Sequence, residues 1–294
     1  MIQSLPLPWL DRAGRPSRLK LAAFVLVVAP AVYLAAAYAL NALGPKPITA
    51  LIHGTGEWTI RFLLASLAVT PLRRVANWPK LIVLRRMLGV TAAAYALAHL
   101  ALYVVDQNLD LAKVVSEIAL RFYLTIGFVA LLGLVALGLT STDAAIRRMG
   151  QGWNHLHKLV YAIGILGLLH YFLQSKIDVS DPVFWTGLFV LLMGWRLMQR
   201  VRLPMRPWSL LLLAVGSGLL TAGLEAAWYG FKSGIPADLV LGANLDFSDV
   251  IRPAWWVLAV GLLLPVVNLV RGQAGTRRAE AVRPDRPRRV APAE

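Results

Sequence analysis

With no cysteine in the chain, its five histidines, at positions 53, 99, 155, 157 and 170, are the side chains best suited to hold a redox metal. The missing thiols exclude disulfides, iron–sulfur clusters and covalent haem attachment. Two of the five lie inside apolar runs: His99 follows Ala93-Ala94-Tyr95-Ala96-Leu97-Ala98, and His170 follows Gly164-Ile165-Leu166-Gly167-Leu168-Leu169. An ionisable group at membrane depth is costly and demands a partner, so both are functional candidates. His99 comes 13 residues after Arg86, and His170 comes 13 residues after His157. In helices running the same way, each then sits roughly 20 Å above the same membrane face, at ~1.5 Å per residue. Two imidazoles at one height can fill both axial positions of a single haem iron, which suits a low-spin electron carrier with no site left for oxygen or substrate. Ala94, Ala96, Ala98, Gly164 and Gly167 leave room for a flat macrocycle, although small residues are equally ordinary at helix contacts. The competing role, a hydrogen bond from each imidazole to a neighbouring helix, explains neither the pairing nor the matched depth.

The remaining candidates are less determined. His157 lies about 140° around a straight helix from His170, so the two share no stripe. The level facing it offers Arg85 and Arg86 and no histidine. It therefore ligates a second haem with an unusual partner, assists a quinone or flavin, or sits at the headgroup boundary. Arg85 and Arg86 suit a phosphate or propionate, and they suit equally a topology signal at the cytoplasmic face. His155 and His53 fall at or beyond span ends, where solvated histidines are common.

The elements that position these residues follow from composition. Hydrophobic types make up 58% of the 294 residues and the mean hydropathy is +0.63, so lipid is the expected solvent. A crossing needs roughly 20 mainly apolar residues. About eight such stretches occur, near 19–40, 58–74, 84–105, 121–140, 157–174, 183–199, 208–229 and 253–270. The fold class expected is an all-α polytopic transmembrane bundle. No cleavable leader is evident in the opening residues.

The net charge of +15 does not indicate nucleic acid. Residues 1–20, 73–86, 141–158, 196–206 and 271–294 hold 23 of the 30 Lys and Arg, and ten of the fifteen acidic residues fall on the other side. This is the positive-inside pattern with both termini cytoplasmic. Basic residues scattered over span ends offer no base-reading surface. Tryptophans such as Trp58, Trp153, Trp185, Trp195, Trp208 and Trp228 lie mostly near span ends and read as interfacial anchors. Residues 1–44 read as a cytoplasmic segment with the first span, 45–203 as the histidine-bearing membrane domain, 204–270 as an extra two-span extension and 271–294 as a disordered basic cytoplasmic tail. Between the third and fourth spans, Leu111, Val114, Val115 and Ile118 form the apolar stripe of a short interfacial helix. No internal repeat stands out.

Four strings carry a family resemblance: Arg85-Arg86-Met87-Leu88-Gly89 leading to Tyr95 and His99, Arg121-Phe122-Tyr123-Leu124-Thr125-Ile126-Gly127, Leu139-Thr140-Ser141-Thr142, and Trp153 followed by Leu156-His157-Lys158-Leu159-Val160-Tyr161 and His170-Tyr171. Together they resemble the MsrQ family, the haem-binding membrane subunits of the periplasmic methionine sulfoxide reductase system, within the ferric-reductase-like superfamily. The resemblance runs from about His53 to Arg200. It implies haem b, with His99, His157 and His170 as the family's histidines, and it extends to His53 in His53-Gly54-Thr55-Gly56. It also implies the bacterial inner membrane, and electrons drawn from the quinone pool or, through FMN, from a cytoplasmic flavin reductase. The implied acceptor is a periplasmic molybdopterin-dependent subunit that repairs methionine sulfoxide. Residues beyond about 205 depart from the six-span core of the family.

No soluble segment is large enough for a nicotinamide or flavin domain, and no Gly-rich dinucleotide fingerprint occurs, so the chain cannot draw on NADH unaided. Two other functions compete. A stand-alone ferric or quinone reductase of the same superfamily would act on its own substrate. A haem-free transporter or scaffold would use the histidines only for proton relay or packing.

Overall fold

The computed structural model describes residues 7–10, 14–176, 178–248 and 250–281, with side chains through Val270. Among these residues the chain is helical throughout, without strands. Eight long helices are α1 (Arg18–Ala39), α2 (Pro47–Val75), α3 (Leu84–Asp106), α5 (Phe122–Leu139), α8 (Val160–Gln174), α9 (Ser180–Arg200), α10 (Pro207–Ser233) and α12 (Pro253–Ala281). Four short ones join them: α4 (Leu111–Leu120), α6 (Asp143–Met149), α7 (Gln151–Lys158) and α11 (Ala237–Ala243). Six segments are long and apolar enough to cross a membrane: α1, α3 with the single helical turn that precedes it from Pro79, α5, α7 together with α8, α10, and α12 as far as Val270. The chain is a multi-pass membrane protein. Large apolar side chains such as Val25, Leu26, Val32 and Tyr33 on α1 point outward, as a lipid solvent permits and water would not.

α2 and α9 are long but more polar, and their internal charges are matched locally. Arg61 pairs with Glu57 at 2.9 Å, and its guanidinium lies over the rings of Trp58 at 4.7 Å and Trp185 at 5.7 Å. Arg196 on α9 repairs a defect in α2. Pro71 has no N–H to give the carbonyl four residues earlier, and Arg196 Nη2 donates to that carbonyl, on Leu67, at 2.6 Å. Its Nη1 bonds Leu192 O at 2.9 Å within its own helix. An unsatisfied buried carbonyl costs about 1–3 kcal/mol. Replacing Arg196 with Met should therefore lower the stability of the detergent-solubilised protein by about that amount, as measured by thermal unfolding. An unchanged midpoint would mean that water or lipid already serves that carbonyl.

α2 packs along α3 and α5 along α8, and α3 meets α5 between the two pairs. Their shared core includes Leu63, Leu67, Ala92, Ala96, Leu134 and Leu168. The extension, α10 and α12, packs on α9 at Gly187, where a Cβ would run into Thr221 and Val257, and its own two helices meet closely at Gly261, where a Cβ would reach Ala214 Cβ at 2.8 Å. At its far end Glu225, fully buried, binds Arg252 at 2.5 Å and Asn244 at 3.2 Å. Leu224, Trp228 and Tyr229 of α10 cover Phe172, Val179 and Val183, so the extension braces the α8–α9 connection. The tail expected to be disordered from Arg271 is instead helical as far as Ala281. Ala274, Arg277, Arg278, Ala279, Glu280 and Ala281 favour that state, and no proline intervenes before Pro284. Residues 282–294 of that tail lie outside the described residues.

Candidate functional site: two imidazoles and a basic cavity

The rings of His99 on α3 and His170 on α8 face one another with centroids 6.3 Å apart and planes at 86°. Each is oriented in the same way. His99 Nδ1 lies 2.8 Å from Ile52 O in α2, and His170 Nδ1 lies 2.8 Å from Tyr123 O in α5. A carbonyl only accepts, so each Nδ1 carries the proton and each Nε2 keeps its in-plane lone pair. A hydrogen bond of this kind fixes the tautomer and the orientation of an imidazole that is to bind a metal through its other nitrogen.

Room for each ring comes from a glycine one helical turn past the accepting carbonyl. A Cβ at Gly56 would stand 3.0 Å from His99 Nδ1, and one at Gly127 would stand 2.7 Å from His170 Nδ1 and Cε1. Ile52, Gly56 and His99 thus reappear as Tyr123, Gly127 and His170, each exactly matched at an offset of 71 residues. The bundle holds two copies of one imidazole cradle, a repeat of geometry that side-chain similarity along the sequence does not betray.

The spacing fits one metal ion between the rings. A metal–imidazole bond is about 2.0–2.1 Å, and a ring nitrogen lies about 1.1 Å from its centroid, so centroids across a shared ion stand roughly 6.2–6.4 Å apart. The donor pair is neutral and nitrogenous, and each Nε2 is left without a hydrogen to hold, which is the chemistry that would suit a haem iron. Three of the small residues expected to make room for a macrocycle do something else. Ala96 belongs to the buried core, Gly164 is closed by Phe189, and Gly167 faces Ile60. The helix contacts, rather than the cofactor, account for their size.

His157 stands apart, on α7, where the chain breaks at Leu159 before α8 begins. Its ring stacks on Trp153, with centroids 3.8 Å apart and an angle of 26°. Thr140 Oγ1 donates to Ala136 O at 2.7 Å and lies 3.2 Å from His157 Nε2, while Trp153 Nε1 donates to Thr140 O at 2.9 Å. His157 is thus held through Nε2, where His99 and His170 are held through Nδ1. It lines a cavity of about 260 Å³ with Arg85, Arg86, Ser66, Ser141 and Trp153. Arg86 is also tied to Asp143 of α6 at 2.5 Å. No second imidazole joins His157 there. His53 is exposed on α2 beside Ile52 and is not part of the His99–His170 pair. His155 is exposed and bonds Gln151 O at 3.2 Å in its own helix.

Residues 55–168 match the family model described as ferric reductase like transmembrane component. Among curated relatives, the protein-methionine-sulfoxide reductase heme-binding subunit MsrQ of Azospira oryzae is 42% identical over 195 residues, covering 65% of this chain and 83% of the relative. The protein of the same name from Rhodospirillum rubrum is 42% identical over 194 residues, 65% of this chain and 91% of the relative. That of Xanthomonas campestris pv. campestris is 42% identical over 162 residues, 55% and 74% respectively. No solved structure matches this chain.

Proposed function

Since this chain belongs to the MsrQ family of haem-binding subunits of protein-methionine-sulfoxide reductase, we propose that it holds haem b between His99 and His170 and serves as the membrane electron-transfer subunit of such a system. The observation that carries this reading is the 6.3 Å spacing of two rings whose Nδ1 atoms are both engaged by backbone carbonyls. His99 and His170 would hold the iron of haem b between them, and the group when bound would supply one-electron transfer without a site for substrate. The chain's own residues supply the rest. Ile52 O and Tyr123 O fix the two tautomers, and Gly56 and Gly127 admit the rings.

All eight long helices cross the inner membrane in this reading, with both termini cytoplasmic. The imidazole pair then lies in the periplasmic half, because it is anchored near the N-terminal ends of α2 and α5. The basic cavity lies in the cytoplasmic half. Arg85 and the stacked Trp153–His157 pair suit a planar donor with an anionic or carbonyl edge, so quinol or reduced FMN enters there. Electrons leave on the periplasmic side to a molybdopterin-dependent catalytic subunit, where the reduction of methionine sulfoxide in oxidised proteins takes place.

The test is the absorption spectrum of the purified, reduced chain, followed through reoxidation. A sharp b-type band is expected, one that bleaches only when the catalytic subunit and a methionine sulfoxide substrate are both added. No such band ends the haem reading. Bleaching by a ferric chelate alone, at the same rate, points instead to a stand-alone ferric reductase.

A further inference from the structure

A second group of side chains sits at the outer end of the imidazole pair. Tyr103, one helical turn beyond His99 on the same face of α3, donates its hydroxyl to Glu117 Oε2 at 2.7 Å. Arg121 Nη2 binds Glu117 Oε1 at 2.8 Å, and Arg121 Nη1 donates to Tyr123 Oη at 3.1 Å. Tyr123 is the residue whose carbonyl orients His170. Arg121 is the extended residue at which α4 ends and α5 begins, and Thr125 pins that corner by bonding Ile118 O at 2.6 Å. One carboxylate thus links the turn after one imidazole to the turn that sets the other.

An exposed Glu–Arg pair four residues apart is usually worth a few tenths of a kcal/mol and signifies nothing more. This pair differs in two respects. The Glu117 side chain is only 18% exposed against 51% for Arg121, and both of its oxygens are engaged, one by a residue of α3. The charges are therefore fixed in place and poorly screened on the carboxylate side.

We propose that Glu117 and Arg121, held by Tyr103 and Tyr123, form a positioning pair that locks the two imidazole cradles together and sets how readily an iron held between them is reduced. The inference rests on the haem assignment above. Adding an electron lowers the charge at the iron by one, so a fixed anion opposes reduction and a fixed cation favours it. A unit charge roughly 12 Å away, at an effective dielectric of about 20, shifts such an equilibrium about tenfold.

The experiment is a potentiometric titration of the full chain, following the haem band, for the wild type, Glu117→Gln, Arg121→Gln and the double variant. Glu117→Gln should raise the midpoint potential, by up to about tenfold in the ferrous-to-ferric ratio, or about 59 mV for one electron, and Arg121→Gln, whose charge is better screened, should lower it by less. The double variant should return toward the wild type. A purely structural tie would move both single variants the same way. Shifts of one sign, no shift with haem retained, or loss of haem from both single variants overturns the proposal. If only one single variant loses haem, the double variant decides: haem kept near the wild-type potential upholds the proposal, and haem lost overturns it. A wild type without a b-type band sinks the haem assignment itself, a result distinct from all of these.

Discussion

Alanine in place of either His99 or His170 should abolish tight haem binding, with affinity falling by more than the roughly 10–100-fold that loss of a second-shell partner costs a metal site. Each imidazole is half of a two-sided clamp, and the rings face each other across 6.3 Å with no third histidine in the pair. Removing one leaves an open axial position, an unpaired carbonyl on Ile52 or Tyr123 and a void in the bundle. Haem content per chain, read from the reduced spectrum of purified variants, measures the effect. His53→Ala and His155→Ala are the controls, because both side chains are exposed and lie outside the pair, and both should keep the wild-type spectrum. Equal haem in His99→Ala and the wild type would require a different ligand and would dissolve the proposed pair. His157→Ala should leave the b-type band in place and slow reduction by an added quinol, since that residue lines the separate cavity.

The second large effect is expected from a single methyl group. At Gly127 a Cβ would stand 2.7 Å from two atoms of the His170 ring, a separation that real contacts do not reach. The ring must rotate away, and the bond from Nδ1 to Tyr123 O is then lost together with the aim of Nε2. Gly127→Ala should weaken haem binding by about 10–100-fold, the range seen when an outer-shell partner is removed. Gly56→Ala meets His99 Nδ1 at 3.0 Å and should be milder. Haem titration into the two purified variants gives this ranking directly. Thermal unfolding distinguishes a displaced ring from a collapsed bundle, because Gly127→Ala should change haem affinity far more than stability without haem. Equal and small effects at both positions would show that the helices shift to accommodate the methyl and that the rings are not tightly gauged.

What could be read from the sequence alone was one-dimensional. Apolar length, the one-sided distribution of Lys and Arg and the count of residues from Arg86 to His99 and from His157 to His170 all lie along the chain. Depth in a membrane follows from them, because a helix converts residue number into height at a nearly fixed rate. Hence the level pair, the separate standing of His157 and the interfacial helix before Arg121 could be anticipated. Direction around each helix axis, and the choice of neighbour, could not. Tyr123 gives its carbonyl to His170, Arg196 serves the carbonyl freed by Pro71, and Glu117 reaches Tyr103 only because α3, α5, α8 and α9 pack as they do. Gly56 and Gly127 look like any other small residues in apolar runs until a ring is seen pressed against each. Backbone carbonyls and missing side chains leave no mark in residue type, so the cradle, its repetition and the charge pair at its outer end were decided by tertiary packing.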